Sequence, residues 1–212
     1  MKIYVIRHGE TDYNVRRLFQ GQINTDLNDT GRAQARAAAE KIRAMGLTFD
    51  RVYSSPLQRA VETVEIITGK DSSEIQTDDR LLEMNFGALE GQPFDRDSRA
   101  CGSLFQDPPS YRPVSGSESF PEVIDRIGSF FTDLAKERPG ESVLVGCHGC
   151  AMRTLLVFLS YLDLKDIWKQ KIGNCAVIQL GFYEGTDGAG ALRVDRIIET
   201  QDRNTDLLQI RG

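Results

Sequence analysis

Histidine and cysteine are scarce in this chain, with two of the first and four of the second in 212 residues. So few cysteines at this length do not read as a disulfide framework. No long hydrophobic run is present either. The most apolar stretch, TLLVFLSYL at 154–162, is far short of the roughly 20 residues needed to span a bilayer. The opening MKIYVIRHGET has no signal-peptide core, because its apolar stretch stops within a few residues. Neither sign of charge dominates: 26 basic and 31 acidic residues leave a net charge of -5. That balance supplies no global field for nucleic acid or an anionic membrane, so a phosphate-bearing ligand has to be held by a local basic cluster. A composition 40% hydrophobic and 27% charged excludes disordered and collagen-like chains, and no internal repeat is visible. The expectation is a cytoplasmic globular protein without nucleic-acid or membrane partners, and with a homodimer left open.

What is present is an alternation of strand and helix periods, the signature of a layered α/β domain. Lys2–Arg7 and Arg51–Ser54 read as short strands. Between them, Thr30 to about Met45 carries Ala35, Ala38, Ala39 and Ile42 at helical spacing, with Gly46 as its stop. Pro56–Thr68 reads as a helix with Ser55 as N-cap and Pro56 at the first position. Phe120–Lys136 reads as a third helix. Ser142–Cys147 is a nearly all-apolar strand of the kind covered on both faces, and it leads into an apolar helix at about 150–162. Ala176–Tyr183 and Leu192–Glu199 flank a Gly-rich turn at 185–190 as a hairpin. The expected fold is three-layer α/β: a mostly parallel central sheet flanked by helices, one domain over 1–212. Residues 14–29 and 85–118 break the alternation, and the second stretch holds more than half of the seven prolines. A loop that long reads as a binding loop or lid, so 85–118 is the expected cap.

Both histidines directly follow predicted strands, in Arg7-His8-Gly9-Glu10-Thr11 and in Gly146-Cys147-His148-Gly149. In open α/β sheets the carboxyl ends of strands are where ligands bind, and a glycine after each histidine lets a ligand or backbone come close. Arg59 falls in the first turn of the 56–68 helix, where the macrodipole disfavours a cation by about 0.3–1 kcal/mol. An anion bound at that helix start would explain it. An arginine that simply extends to solvent explains it as well.

The sequence also carries Asn14 soon after the first histidine and the run Ser54-Ser55-Pro56-Leu57-Gln58-Arg59-Ala60 with Glu62-Thr63. Further on come Leu82-Glu83, Phe86-Gly87-Ala88-Leu89-Glu90-Gly91, Gly116-Ser117-Glu118-Ser119 and the stretch Val145–Arg153 around His148-Gly149. In content and order these blocks resemble the histidine phosphatase superfamily, the phosphoglycerate mutase-like proteins, from Lys2 to about Leu180. The resemblance implies that His8 is a nucleophile that becomes phosphohistidine and that Arg7, Arg59 and His148 hold the phosphoryl oxygens. It implies Glu83 as the acid and base that serves leaving group and water in turn. Neutral imidazole can attack without a metal, and positioned cations then supply most of the catalysis. Asn14, Gln20, Gly21, Gly149 and Cys150 complete the candidate phosphate and substrate contacts, with no metal and no cofactor.

Other readings remain in view. Cys147-His148-Gly149-Cys150 is a CxxC, but zinc would need a second ligand pair, and Cys101 and Cys175 are isolated. A non-catalytic phospholigand-binding protein would keep Arg7 and Arg59 and lose His8 or Glu83, which are both present. Within the resemblance, mutases carry a basic pair in the cap and an asparagine after the second His-Gly. Here Cys150 takes that place, and Arg96, Arg99 and Arg112 are scattered through the cap. Few extra cations leave no evident seat for a second anionic group, while Phe86, Leu89, Phe94, Phe105 and Tyr111 suggest a broad, partly apolar pocket. The reading is a metal-independent hydrolase of a small phosphorylated metabolite. The alternatives are a cofactor-dependent phosphoglycerate mutase or a sugar bisphosphatase of the same superfamily.

Overall fold

The structure is a computed structural model that describes residues 1–94, 101–114, 116–137, 140–184 and 190–199. Its strands are β1 (Lys2–Arg7), β2 (Arg51–Ser54), β3 (Gln76–Thr77), β4 (Ser142–Cys147), β5 (Val177–Glu184) and β6 (Gly190–Ile198). Its helices are α1 (Asp12–Val15), α2 (Asp29–Ala44), α3 (Gln58–Thr68), α4 (Gly102–Gln106), α5 (Phe120–Glu137) and α6 (Gly149–Phe158). The six strands form one sheet in the order β3-β2-β4-β1-β5-β6. The pairings from β3 through β1 are parallel, whereas β5 and β6 run antiparallel at one edge. The sheet is therefore mixed, with a parallel half that carries both histidine-bearing strands. Among the described residues no helix is long and apolar enough to cross a membrane.

Strand alternation divides the core into two layers. In β1, Ile3 and Val5 face the cluster with α5 and α6, and Tyr4 and Ile6 face the cluster with α2 and α3. In β4 the same split separates Val143 and Val145 from Leu144. Helices cover both faces, and this explains why these central strands are almost continuously apolar. Close packing of α3 on β4 depends on Gly146, where a Cβ would meet Ser54 Oγ and Val64 Cγ1 at 2.8 Å.

Register decides what the sheet presents at its end. Arg7 pairs with Cys147 across β1 and β4, and Ser54 pairs with Gly146 across β2 and β4. The parallel strands thus stop level with one another and deliver His8, Ser55 and His148 to one edge.

Several expected boundaries move. The third predicted helix, Phe120–Lys136, is α5, and Ser142–Cys147 is β4 as read. α3 begins at Gln58 rather than Pro56, with Leu57 as an N-cap that makes no side-chain cap bond. The cause is that Ser55 N–H still donates into the sheet, to Gly146 O at 3.0 Å, so Pro56 and Leu57 are used for the turn. α6 ends at Phe158, short of residue 162, because Ser160 adopts φ +55 and Tyr161 N–H bonds back to Leu156 O. Of the Gly-rich turn, residues 185–189 lie outside the described residues.

The 85–118 stretch contains a turn at Gly87–Leu89 and the short α4, and its start is tied down. Phe19 N–H donates to Gln92 O, Gly91 N–H to Phe19 O and Phe94 N–H to Arg17 O, beside a bridge between Leu18 and Pro93. Phe19, Phe86, Phe94, Phe105 and Trp168 pack ring against ring beneath it.

Candidate active site

His8 leaves the end of β1 with its backbone held on both sides. Its N–H donates to Cys147 O, and its carbonyl accepts from Asn174 Nδ2 at 3.0 Å. The ring lies 2.7 Å through Nδ1 from Gly9 O. A carbonyl can only accept, so Nδ1 carries the proton and Nε2 keeps its lone pair. Gly9 N–H in turn donates to Thr63 Oγ1, which donates to Arg59 O, so the loop after β1 is bonded to α3. His148, fully buried at the end of β4, stacks at an angle on His8 with ring centroids 5.3 Å apart. Both of its ring nitrogens are buried without a partner. Burial first, then the charges of Arg59 and Arg7, holds His8 well below the usual imidazole pKa. Burial and the Arg59 charge do the same to His148. Both rings are neutral at pH 7.

The two arginines are held by carbonyls rather than by acids. Arg7 donates through Nη1 to Ile172 O at 2.8 Å. Arg59 donates to Ile23 O at 2.8 Å and to Gly21 O at 2.7 Å. Each keeps a buried Nε with no partner, and neither makes an ion pair among the described residues. Burial pushes each guanidinium down to about 10, with Arg153 adding to the effect on Arg7. Glu83 is the nearby opposite charge felt by both, but two buried cations without a direct ion pair remain costly to keep. An anion placed between them would relieve that cost and meet the orphaned N–H groups.

Glu83 is buried at the start of α6, where the helix leaves N–H groups unused. Its Oε1 accepts from Met84 N–H and Ala151 N–H at 2.9 Å, and its Oε2 accepts from Cys150 N–H at 3.0 Å. The loop that carries it is gripped from α5. Arg126 donates to Arg80 O, Leu82 O and Glu83 O and forms a two-pronged pair with Glu118.

These groups converge on a cavity of about 780 Å³. Arg7, His8, Asn14, Gln20, Gly21, Arg59, Glu83, Gly149 and Cys150 all line it, whereas His148 lies against the His8 ring and does not itself line it. Asn14 closes a capping box with Thr11, in which its Oδ1 accepts the Thr11 N–H, so its amide donor is left for the cavity. Gln20 spends its side-chain oxygen on Thr11 and Thr25. Gly21, at φ +50, offers its carbonyl to Arg59, and a Cβ there would run into the Glu90 side chain. The Cys150 thiol is buried 3.7 Å from Met84 Sδ, and burial raises it well above the ordinary thiol range. Among the described residues no three His, Cys, Asp or Glu side chains gather as metal ligands.

One expectation fails here. Extra cations do line the cavity, Arg17 and Arg153, but they come from the loop after α1 and from α6 rather than from the cap. Of the cap arginines, Arg112 donates to Tyr111 O and does not line the cavity, whereas Arg96 and Arg99 lie outside the described residues. Of the side chains expected in the pocket, Phe86 and Phe94 line it, whereas Leu89, Phe105 and Tyr111 do not. Tyr13 and Trp168 also line it unannounced. Trp168 lies beyond the end of α6, outside any motif, and only folding brings it there.

A model of the histidine phosphatase superfamily (branch 1) matches residues 3–193 of the chain. The 2,3-bisphosphoglycerate-dependent phosphoglycerate mutase of Parvibaculum lavamentivorans is 31% identical over 209 residues, 94% of this chain and 97% of that protein. A phosphoserine phosphatase mutant of Entamoeba histolytica, solved with phosphoserine, superposes with a TM-score of 0.81 at 26% identity, covering 94% of this chain and 98% of that one. A mycobacterial glucosyl-3-phosphoglycerate phosphatase, solved with VO3, gives a TM-score of 0.75 at 28% identity, covering 91% and 97%.

Proposed function

The chain belongs to the histidine phosphatase superfamily, and on that premise we propose that it is a metal-independent phosphomonoesterase acting on a small phosphorylated metabolite. The observation that carries the reading is His8 itself. Its proton is fixed on Nδ1 by Gly9 O, and its ring stays neutral beside two buried arginines whose Nε–H groups have no hydrogen-bond partner.

In this reading the Nε2 lone pair attacks phosphorus, forming a nitrogen–phosphorus bond as the ester oxygen departs. Arg7, Arg59 and Asn14 face the three equatorial oxygens, where positioned charge is most effective. His148, with a proton on one of its partnerless buried nitrogens, would donate to a phosphoryl oxygen beside His8. The departing alkoxide takes a proton from Glu83 in its acid form. A water then attacks the phosphohistidine and gives its proton to Glu83 as the nitrogen–phosphorus bond breaks. Inorganic phosphate and an unmodified His8 result, so no group from outside is required. The whole chain is read as one unit with 85–118 as the cap, working in the cytoplasm.

The proteins solved with phosphoserine and with VO3 support hydrolysis, and the phosphoglycerate mutase likeness supports transfer. The decisive test runs in EDTA. Brief mixing with a radiolabelled phosphomonoester and quenching in base should trap an acid-labile phosphoprotein, and His8→Ala should abolish both label and turnover. Substantial residual turnover by that variant, or loss of activity to EDTA with rescue by a divalent ion, would overturn the mechanism. With 3-phosphoglycerate, release of inorganic phosphate should outrun formation of the 2-isomer.

A further inference from the structure

The His8 proton is held on Nδ1 by Gly9 O, an atom of the peptide that joins Gly9 to Glu10. Whatever fixes that carbonyl also fixes which ring nitrogen is free to attack. The other side of the same peptide is the Glu10 N–H. It donates to Gln34 Oε1 at 2.9 Å, on α2 and 24 positions away in the chain. Gln34 falls outside every motif read from the sequence, and it does not line the cavity.

The peptides on either side have holders of their own. Gly9 N–H, in the peptide before, bonds to Thr63 Oγ1 at 3.0 Å. Glu10 O, in the peptide after, accepts from Asn28 N–H at 3.0 Å, and Asn28 Nδ2 reaches Glu10 Oε1 at 3.1 Å. Gly31 lets helix and loop touch, since a Cβ on Gly9 would lie 2.6 Å from Gly31 O and one on Gly31 would run into Glu10 O. The middle peptide is left to Gln34 on its N–H side and to His8 on its carbonyl side. Gln34 stands about one turn beyond Gly31, on the same face of α2. It is half-buried, while Ala35 and Ala38 make the helix's contact with the core. Two hydrogen bonds across one amide polarise each other, so the bond to Gln34 also makes Gly9 O a better acceptor.

We propose that Gln34 is a positioning residue of the reaction: it sets the plane of the Gly9–Glu10 peptide, whose carbonyl keeps the His8 proton on Nδ1 and leaves the Nε2 lone pair for phosphorus. Gln34 touches neither substrate nor the reacting atoms and acts only through that peptide. The inference rests on the reading of His8 as the nucleophile.

The chain has two histidines, so ¹⁵N-labelled histidine reports both rings, and a protonated ring nitrogen resonates far from a bare one. Signals that vanish in His8→Asn belong to His8. In the unsubstituted protein the His8 proton should sit on Nδ1. Gln34→Met keeps the length and helix preference of the side chain and removes the acceptor, whereas Gln34→Glu keeps an acceptor oxygen. In Gln34→Met a substantial fraction of His8 should carry its proton on Nε2, and Glu10 N–H should exchange with solvent about tenfold faster. Its kcat should fall about tenfold, between the twofold of an evenly divided tautomer and the hundredfold of a group misplaced by about 1 Å. The Kd for inorganic phosphate should stay within about twofold, because Arg7 and Arg59 are untouched, and the His148 signals should not move. Gln34→Glu should restore both the His8 tautomer and kcat. A proton on Nε2 in the unsubstituted protein, unchanged His8 signals and kcat in Gln34→Met, or equal losses in the Met and Glu variants would each overturn the role. If the tautomer shifts as expected while the unsubstituted protein hydrolyses no phosphomonoester, the hold of Gln34 on His8 stands and the phosphomonoesterase reading falls.

Discussion

His8 and His148 are the chain's only histidines, so their titration is open to direct observation. Both are depressed by burial and by neighbouring arginines. Proton NMR should therefore show no ring midpoint between pH 8 and pH 6.5, and a midpoint near the usual 6.5 for either ring would contradict the buried cluster. The sign carries over to stability. Below about pH 6.5 the unfolded chain binds protons that the folded chain refuses, so the histidine contribution is complete above that pH and is lost as pH falls. The slope approaches about 1.4 kcal/mol per pH unit for each ring. Glu83 supplies a second prediction. Glu83→Gln puts an amide nitrogen against a backbone N–H, since both carboxylate oxygens now accept from the main chain. Stability should fall by about 1–3 kcal/mol. Its role as acid is read from the leaving-group contrast: hydrolysis of an alkyl phosphate should lose about 10²–10⁴-fold, and p-nitrophenyl phosphate markedly less. Equal losses would leave Glu83 a structural carboxylate.

Among the elements, α5 does more than cover the sheet. Through Arg126 it holds three carbonyls of the 80–83 loop and also Glu118, just ahead of the helix, which accepts from Asn85 N–H at 2.8 Å. Arg126→Met removes every one of those donors while keeping much of the apolar stem. Urea unfolding should show a loss of about 1–3 kcal/mol. Because the freed loop carries Glu83, the loss in kcat should again be larger for alkyl than for aryl phosphates. A variant of full stability and unchanged leaving-group contrast would show that the loop needs no clamp. The helix boundaries follow the same logic of competing bonds. α3 starts late because Ser55 is still bonded to the sheet, a tertiary constraint that outweighs the Ser-Pro start signal.

At the scale of the whole molecule, an acidic chain of net charge -5 encloses a cavity lined by four arginines, Arg7, Arg17, Arg59 and Arg153. Local field rather than net charge recruits its ligand. Orthovanadate at about 100 times its Kd should stabilise the protein by about 2.7 kcal/mol. That corresponds to roughly 5–10 °C in Tm for a chain of this size. Arg59→Met should abolish most of the rise, and an undiminished rise would mean the anion stabilises from elsewhere. The strands other than β3, the two principal helices beside β1 and β2, and the site residues His8, Arg7, Arg59 and His148 were readable in the amino-acid order, and Glu83 only through the likeness of its motif. Periodicity 2 and 3.6 and strand-end histidines are local signals. Trp168 and Arg153 in the cavity wall, and the grip of Arg126 on Glu83, were not. Each depends on segments tens of residues apart meeting once β1, β2 and β4 align in register. The left-handed Arg17 was equally hidden, because its backbone is held by Asn14 nearby and also by Phe94, far along the chain. The sequence by itself determined the layers and the candidate groups at the strand ends. Tertiary structure decided which cations face the ligand, because long-range hydrogen bonds fix the aim of a side chain and local pattern does not.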